Sequence, residues 1–83
     1  MLGIEMAADL WRKGSLSYRG KKYFYWMKVY EKGSVWGIFG GRVSKLRVEC
    51  QDQVVCNFDR GWDVEPVDHD AQEVLRELLV YCV

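Results

Sequence analysis

The segment KYFYWMKVY, residues 22–30, constrains the fold more than any other part of the sequence. It is dense in aromatic residues, which favour β-strands, and it contains no glycine or proline that would interrupt one. Successive side chains of a strand point to opposite faces. One face therefore carries Tyr23, Tyr25, Met27 and Val29, and the other carries Phe24, Trp26, Lys28 and Tyr30. Because lysine is rarely buried, we expect the face that carries Lys28 to be the outer one.

Other segments show the same period of two, separated by turns. Gly20 marks the first turn, EKGS marks the second, and QDQ at 51–53 marks the last. Gly37, Gly40 and Gly41 interrupt the chain before the third strand and predict a bend or bulge there. The predicted outward positions of the third strand are Lys45, Arg47 and Glu49. The predicted inward positions of the fourth strand are Val54, Cys56 and Phe58.

The C-terminal segment has the period of a helix instead. Its apolar stripe consists of Ala71, Val74, Leu75, Leu78, Leu79 and Cys82. Pro66 lies just upstream, and Asp68 or Asp70 can cap the first turn. Asp70 and Glu73 also have the spacing of a capping box.

The predicted fold class is α+β. We expect a four- or five-stranded antiparallel meander sheet with one C-terminal helix packed on one face. Residues 1–9 are predicted to be a weakly structured extension, and residues 10–83 a single β-β-β-β-α domain. A short extra strand at 35–39 would make the fifth.

Composition limits the cellular environments that suit the protein. No apolar run approaches the ~20 residues of a membrane span, and the N-terminus has no signal-peptide pattern. The three cysteines, Cys50, Cys56 and Cys82, lack metal or disulfide spacing, so we interpret them as reduced and buried in a cytoplasmic protein. Residues 1–47 hold ten Lys/Arg and three Asp/Glu, a balance of +7, and residues 48–83 hold two and nine, a balance of −7. This asymmetry predicts either one basic and one acidic surface or halves that neutralise each other in space.

The outer side of the sheet is the candidate site. Its predicted partner-binding residues are Phe24, Trp26, Lys28, Tyr30, Trp36, Lys45 and Arg47. Three interpretations stay open. In the first, the N-terminal segment folds over the rings and buries them. Alternatively, the rings form a protein-binding patch or a homodimer interface, where aromatic residues and arginine are the usual anchors. In the third interpretation, the rings stack on the bases of a single-stranded nucleic acid while the cations meet phosphates.

The stretch NFDRGWDVEP, 57–66, is interpreted as a structural corner between the last strand and the helix. The predicted corner residues are Arg60, Gly61, Trp62 and Asp63. Gly61 permits a positive φ, and Trp62 folds onto the core. Arg60 is expected to pair with Asp59, Asp63 or Glu65. The alternative is an arginine presented to a phosphate or carboxylate.

Catalysis, cofactors and metals have little support. His69 is the only histidine, and no Ser-His-Asp or Cys-His set can be assembled around it. The acids between 63 and 70 lack the spacing and glycine of a calcium loop. The glycines of GIFGGRVSKL, 37–46, match no phosphate-loop fingerprint. We therefore predict no enzyme, no metal and no cofactor.

GGRVSKL at 40–46, DRGWDVEP at 59–66 and the closing helix resemble a family of small uncharacterised bacterial and phage-borne domains, over residues 10–82. The resemblance implies a short cytosolic protein of phages or other mobile elements, with no assigned chemistry. Such proteins often occlude a host protein, as anti-CRISPR inhibitors do. Our first hypothesis is therefore a non-enzymatic phage-type inhibitor of a host defence protein, such as a nuclease, that binds through the aromatic residues of the outer face. Alternatively, the acidic half of such an inhibitor would mimic nucleic acid toward the basic groove of a nuclease. The alternative is a single-stranded nucleic-acid binder.

Overall fold

The computed structural model describes residues 9–30, 37–38 and 41–81. Its sheet has five antiparallel strands in the order of the chain. The strands are β1 (Asp9–Tyr18), β2 (Lys21–Tyr30), β3 (Val43–Cys50), β4 (Gln53–Asp59) and β5 (Trp62–Val64), followed by helix α1 (His69–Tyr81). The predicted α+β meander with one C-terminal helix is confirmed. The fifth strand is 62–64, however, and Gly37 and Ile38 of the proposed 35–39 strand are not in a strand.

The core lies between the sheet and α1. Strand β2 contributes Tyr23, Met27 and Val29, each buried to within 2% exposure, while Trp26 between them is 39% exposed. The phase predicted from Lys28 is therefore confirmed. The remaining core residues of the regular elements are Val43, Leu46, Val48, Cys50, Val55, Cys56, Phe58, Ala71, Val74, Leu75 and Leu78. We call the sheet side that packs on α1 the inner face and the opposite side the outer face.

The hairpins β1–β2 and β3–β4 have turns that suit the right-handed twist of the strands. Arg19 and Gly20 connect β1 to β2 with φ of 51° and 82°, and Gln51 and Asp52 connect β3 to β4 with φ of 54° and 64°. Two consecutive positive φ values are the mark of a type I′ turn. These short turns fix the register of both hairpins.

A bulge shifts the first half of β4. Val48 pairs with Cys56, but Glu49 pairs with Val54, so Val55 is the extra residue. Val54 was predicted to face inward, and this is wrong, because its partner Glu49 lies on the outer face. Val55 and Cys56 are both buried as a result.

Asp68 caps helix α1. Its Oδ1 accepts a hydrogen bond from the Ala71 amide at 2.8 Å. The predicted capping box of Asp70 and Glu73 is not formed, because Asp68 is the capping residue. Asp70 instead lies 3.8 Å from the cationic groups of Arg19 and Lys21 in and after the first hairpin turn. The helix start is thereby tied to the hairpin that joins β1 and β2.

The corner between β4 and β5 is partly as predicted. The Trp62 ring packs edge-on against the core residue Phe58 at 5.0 Å between centroids, so Trp62 folds onto the core as predicted. The left-handed residue is Arg60, with φ 60°, and not Gly61. The Arg60 side chain is exposed and forms no ion pair with any described acid, because Asp63 accepts from Asn57 and Asp59 lies near Lys45. The predicted pairing of Arg60 is therefore wrong.

No helix in the described part of the chain has the length and apolar character that crossing a membrane requires.

Candidate ligand-binding face

Antiparallel register collects the predicted binding residues on the outer face. Trp26 lies opposite Arg47, Lys28 opposite Lys45, and Phe24 opposite Glu49. Residues in register share a face of the sheet. Six of the seven predicted binding residues, Phe24, Trp26, Lys28, Tyr30, Lys45 and Arg47, thus lie together on two central strands. Trp36, the seventh, lies outside the described residues.

Trp11 belongs to the same face and escaped the sequence analysis. It lies opposite Lys28 on β1 and is 62% exposed. Counting back in steps of two from Ser15 and Ser17 would have placed it outward. The alternation of apolar and polar residues is hard to recognise in β1, because Arg12 and Gly14 occupy inward positions where apolar residues are expected.

Lysines are held against the aromatic rings. The Lys28 ammonium is 5.7 Å from the centroid of the Trp11 ring and 5.6 Å from that of Tyr30. The Lys22 ammonium is 5.8 Å from the centroid of Phe24. Each contact of this kind stabilises an exposed cation by about 0.5–1 kcal/mol. The contacts hold positive charge beside the rings without neutralising it.

Pockets formed by described residues run along the outer face, and they share residues. The first, about 360 Å³, is lined by β1 and β2 and includes Lys13, Phe24 and Trp26. The second, about 210 Å³, includes Trp11, Trp26 and Lys45. A third pocket of about 210 Å³ includes Lys45 again. Because Trp26 borders the first two and Lys45 borders the last two, the pockets follow one another across the face. We call this row of pockets the trough, and its length suits an extended ligand.

The outer face is mainly basic. Its cations on β1–β3 are Lys13, Lys22, Lys28, Lys45 and Arg47. Three described carboxylates lie among or beside them, since Glu49 accepts a hydrogen bond from the Arg47 Nε at 2.7 Å, Asp59 lies 3.8 Å from the Lys45 ammonium, and Asp63 accepts from Asn57 at 3.1 Å. The acids of the second half lie mostly at α1 and the segment before it. The lopsided sequence therefore gives a basic sheet face and an acidic helical side, with local interleaving at β3 and β4.

A larger pocket of about 430 Å³ opens on the other side, between β5 and α1. Trp62, Pro66, Leu75 and Leu79 make most of its lining apolar, and Arg76 beside them is bonded to Glu73 at 2.9 Å. It has neither the cluster of cations nor the exposed rings of the outer face. It is a gap left where the short β5 meets the helix.

The described cysteines are buried and unbridged, as predicted for Cys50 and Cys56. Burial raises the pKa of Cys56 from 9.0 to about 12, so its thiol is protonated and unreactive at neutral pH. Cys82 lies outside the described residues. Within the described part of the chain, His, Cys, Asp and Glu side chains form no group that could hold a metal ion.

A family model described as a domain of unknown function, DUF7678, matches residues 10–82. This span agrees with the family resemblance found in the sequence. No curated protein and no solved structure matches the chain.

Proposed function

We propose that this chain, which belongs to the DUF7678 family, binds single-stranded nucleic acid across the outer face of its sheet. The observation that supports the proposal best is the interleaving of exposed rings with lysines on one open face. Trp11 and Trp26 are 62% and 39% exposed, and the Lys28 ammonium lies against the Trp11 ring.

This arrangement meets both chemical needs of a single strand. Unpaired bases present flat faces that stack on aromatic rings, and each such contact contributes about 1–3 kcal/mol. The phosphates between them attract lysine and arginine. The trough that joins Lys13 to Lys45 through Trp26 gives the strand a path across β1, β2 and β3. Stacking is tolerant of sequence, so we expect affinity for single strands with weak base preference.

The proposed role is binding rather than catalysis. The imidazole of His69 is on α1, away from the rings, and the protonated Cys56 thiol is sealed in the core. The outer face supplies stacking and charge, which are means of holding a strand.

The test is the fluorescence anisotropy of a labelled single-stranded 15-mer, titrated with protein at low salt. Trp26→Ala and Trp11→Ala should each weaken binding at least about fivefold, the lower limit expected for the loss of one stacked base. Val80→Ala is the matched control, because Val80 is 63% exposed on the opposite side, on α1, and its loss should leave the affinity unchanged.

Thermal unfolding of each variant confirms that the fold survives. Absence of binding to DNA and RNA single strands by the wild-type protein at low salt would contradict the proposal. Equal loss in Val80→Ala and Trp26→Ala would do so as well, since the outer face would then not be the site.

A protein partner is the second candidate. The exposed surfaces of Trp11, Phe24 and Trp26 favour it, because Trp, Tyr and Arg are frequent anchors of interfaces. The chain would then act as a phage or mobile-element inhibitor that covers a host protein such as a defence nuclease, or would pair with a second copy of itself. The lysines argue for nucleic acid instead, since interface cores are depleted in lysine. Salt separates the two, because an aromatic protein interface loses little affinity as salt rises and a phosphate-binding face loses much.

A further inference from the structure

A pocket at the end of the trough collects three cations from three different parts of the chain. Its lining is Lys28, Tyr30, Ser44, Lys45 and Arg60, and its volume is about 210 Å³. A bulge in β3 builds it. Lys28 pairs with Lys45 but Val29 pairs with Val43, which leaves Ser44 as the extra residue. The Arg60 amide donates to the Ser44 carbonyl at 3.1 Å and so holds the corner beside the bulge.

Three features of this bulge pocket are unfavourable for folding. Lys28 and Lys45 lie directly opposite each other, and like charges in that position repel. Arg60 has φ 60°, a left-handed conformation that is costly for a residue with a Cβ. Ser44 is 3% exposed, and its Oγ has no hydrogen-bond partner. Unfavourable features that persist together in one place usually serve a ligand.

We propose that the bulge pocket binds a phosphate monoester. Lys28, Lys45 and Arg60 line the pocket from β2, β3 and the turn after β4, and Asp59 lies 3.8 Å from the Lys45 ammonium. A monoester carries three unbridged oxygens, one for each of the three cationic side chains, whereas a diester carries only two. The guanidinium of Arg60 offers two parallel donors to phosphate oxygens.

The source of the monoester rests on the proposed function. A single strand that lies along the trough and ends at Lys45 brings its terminal phosphate into the bulge pocket. The pocket then recognises the end of the strand, while the rings hold its bases. Two experiments distinguish phosphate binding in the bulge pocket from binding of the strand along the trough.

The first experiment titrates inorganic phosphate into ¹⁵N-labelled protein and follows the amide resonances of Ser44, Lys45 and Arg60. These resonances should shift and saturate with phosphate and should not shift with chloride at equal ionic strength. Arg60→Asn should abolish the effect, because asparagine tolerates a left-handed backbone and removes only the guanidinium. Arg19→Asn is the matched control, since Arg19 is also exposed with φ 51° but lies near Asp70. Its phosphate titration should match that of the wild-type protein.

The second experiment compares strands of one sequence that carry a 5′-phosphate, a 3′-phosphate or hydroxyl groups at both ends. One phosphorylated end should raise the affinity at least about tenfold, the contribution of a charge-assisted hydrogen bond. The gain should disappear in Arg60→Asn and persist in Arg19→Asn. Equal affinity for all three strands, with no saturable shift by inorganic phosphate, would overturn the bulge pocket and leave strand binding intact. Saturation by inorganic phosphate without binding of any strand would support the pocket and refute the proposed function.

Discussion

Cys56 is the residue at which burial changes chemistry most. It is fully buried on the inner face, and burial raises its pKa from 9.0 to about 12. Between these two values the folded chain keeps a proton that the unfolded chain loses. The free energy of unfolding should therefore be unaffected below pH 9 and should fall by about 1.4 kcal/mol per pH unit as pH rises toward 12.

Urea unfolding at pH 8, 9, 10 and 11 measures this slope. Cys56→Ala removes the thiol contribution, so its stability should decline less steeply with pH than that of the wild-type protein. Desolvation also raises the pKa of Tyr23, which adds a decline above its ordinary value of 10.0 in both proteins. Parallel curves for the two proteins would show that the thiol has an unshifted pKa.

The buried hydroxyl of Ser44 should lower the stability of the fold. Its buried hydroxyl has no partner, and an unsatisfied buried polar group costs about 1–3 kcal/mol. Ser44→Ala removes the hydroxyl and should raise the free energy of unfolding by about 1 kcal/mol. A loss of stability in Ser44→Ala, measured by urea unfolding, would show that the hydroxyl is already satisfied.

Prediction from the sequence was weakest where the backbone conformation of a single residue determines the turn. Glycine is the usual choice for a positive φ, so the rule selected Gly61, but the left-handed residue is its neighbour Arg60. The hydrogen bonds of Arg60 to Ser44 and of Asp59 to Gly61 fix this conformation, and they depend on where β3 lies. No local pattern contains that information.

At the scale of elements, the N-terminal cap of α1 shows which acidic residue at the start of the helix stabilises it. Asp68 caps the helix and is one of the two caps predicted from the sequence, whereas the other prediction was a capping box of Asp70 and Glu73. Asp68→Ala should lower the free energy of unfolding by about 1 kcal/mol, and Asp68→Asn should lower it by only a few tenths, because asparagine caps equally well. Urea unfolding provides the comparison. A larger loss in Asp70→Ala than in Asp68→Ala would favour the capping box.

Long periodic elements were predictable, and short ones were not. Strand β2 has ten residues, and helix α1 has thirteen, so each pattern repeats often enough to fix its phase. Strand β5 has only three residues and is recognisable through its pairing with β4. The misplaced Val54 has a related cause, since a bulge changes the phase of a strand without changing its composition.

At the scale of the whole molecule, the candidate face and the bulge pocket differ in how far the sequence reveals them. The face follows from one local inference, that Lys28 points outward, and the register then adds Lys45 and Arg47. The pocket requires residues 28, 44, 45 and 60 to meet across two hairpins and a bulge. Residues this far apart in the sequence come together only when the sheet is assembled.

The formal charge of the chain is zero, yet the proposed function requires strong salt dependence. The conflict disappears if the basic outer face, and not the net charge, meets the phosphates. For roughly three to five neutralised phosphates, the logarithm of the binding constant should fall with the logarithm of salt concentration with a slope between about −2 and −3.5. Lys13→Gln should make the slope shallower by about 0.7, the share of one phosphate.

Two matched variants make this prediction specific to the outer face. Lys21→Gln removes the same charge beside Asp70, so its slope should equal that of the wild-type protein. Trp26→Ala should lower the affinity at every salt concentration with the slope unchanged, because stacking releases no counterions. Anisotropy titrations at four salt concentrations provide all four slopes. If Lys21→Gln changed the slope as much as Lys13→Gln, the strand would be responding to the total charge of the protein, and the rings and lysines of the outer face would have no special part in binding it.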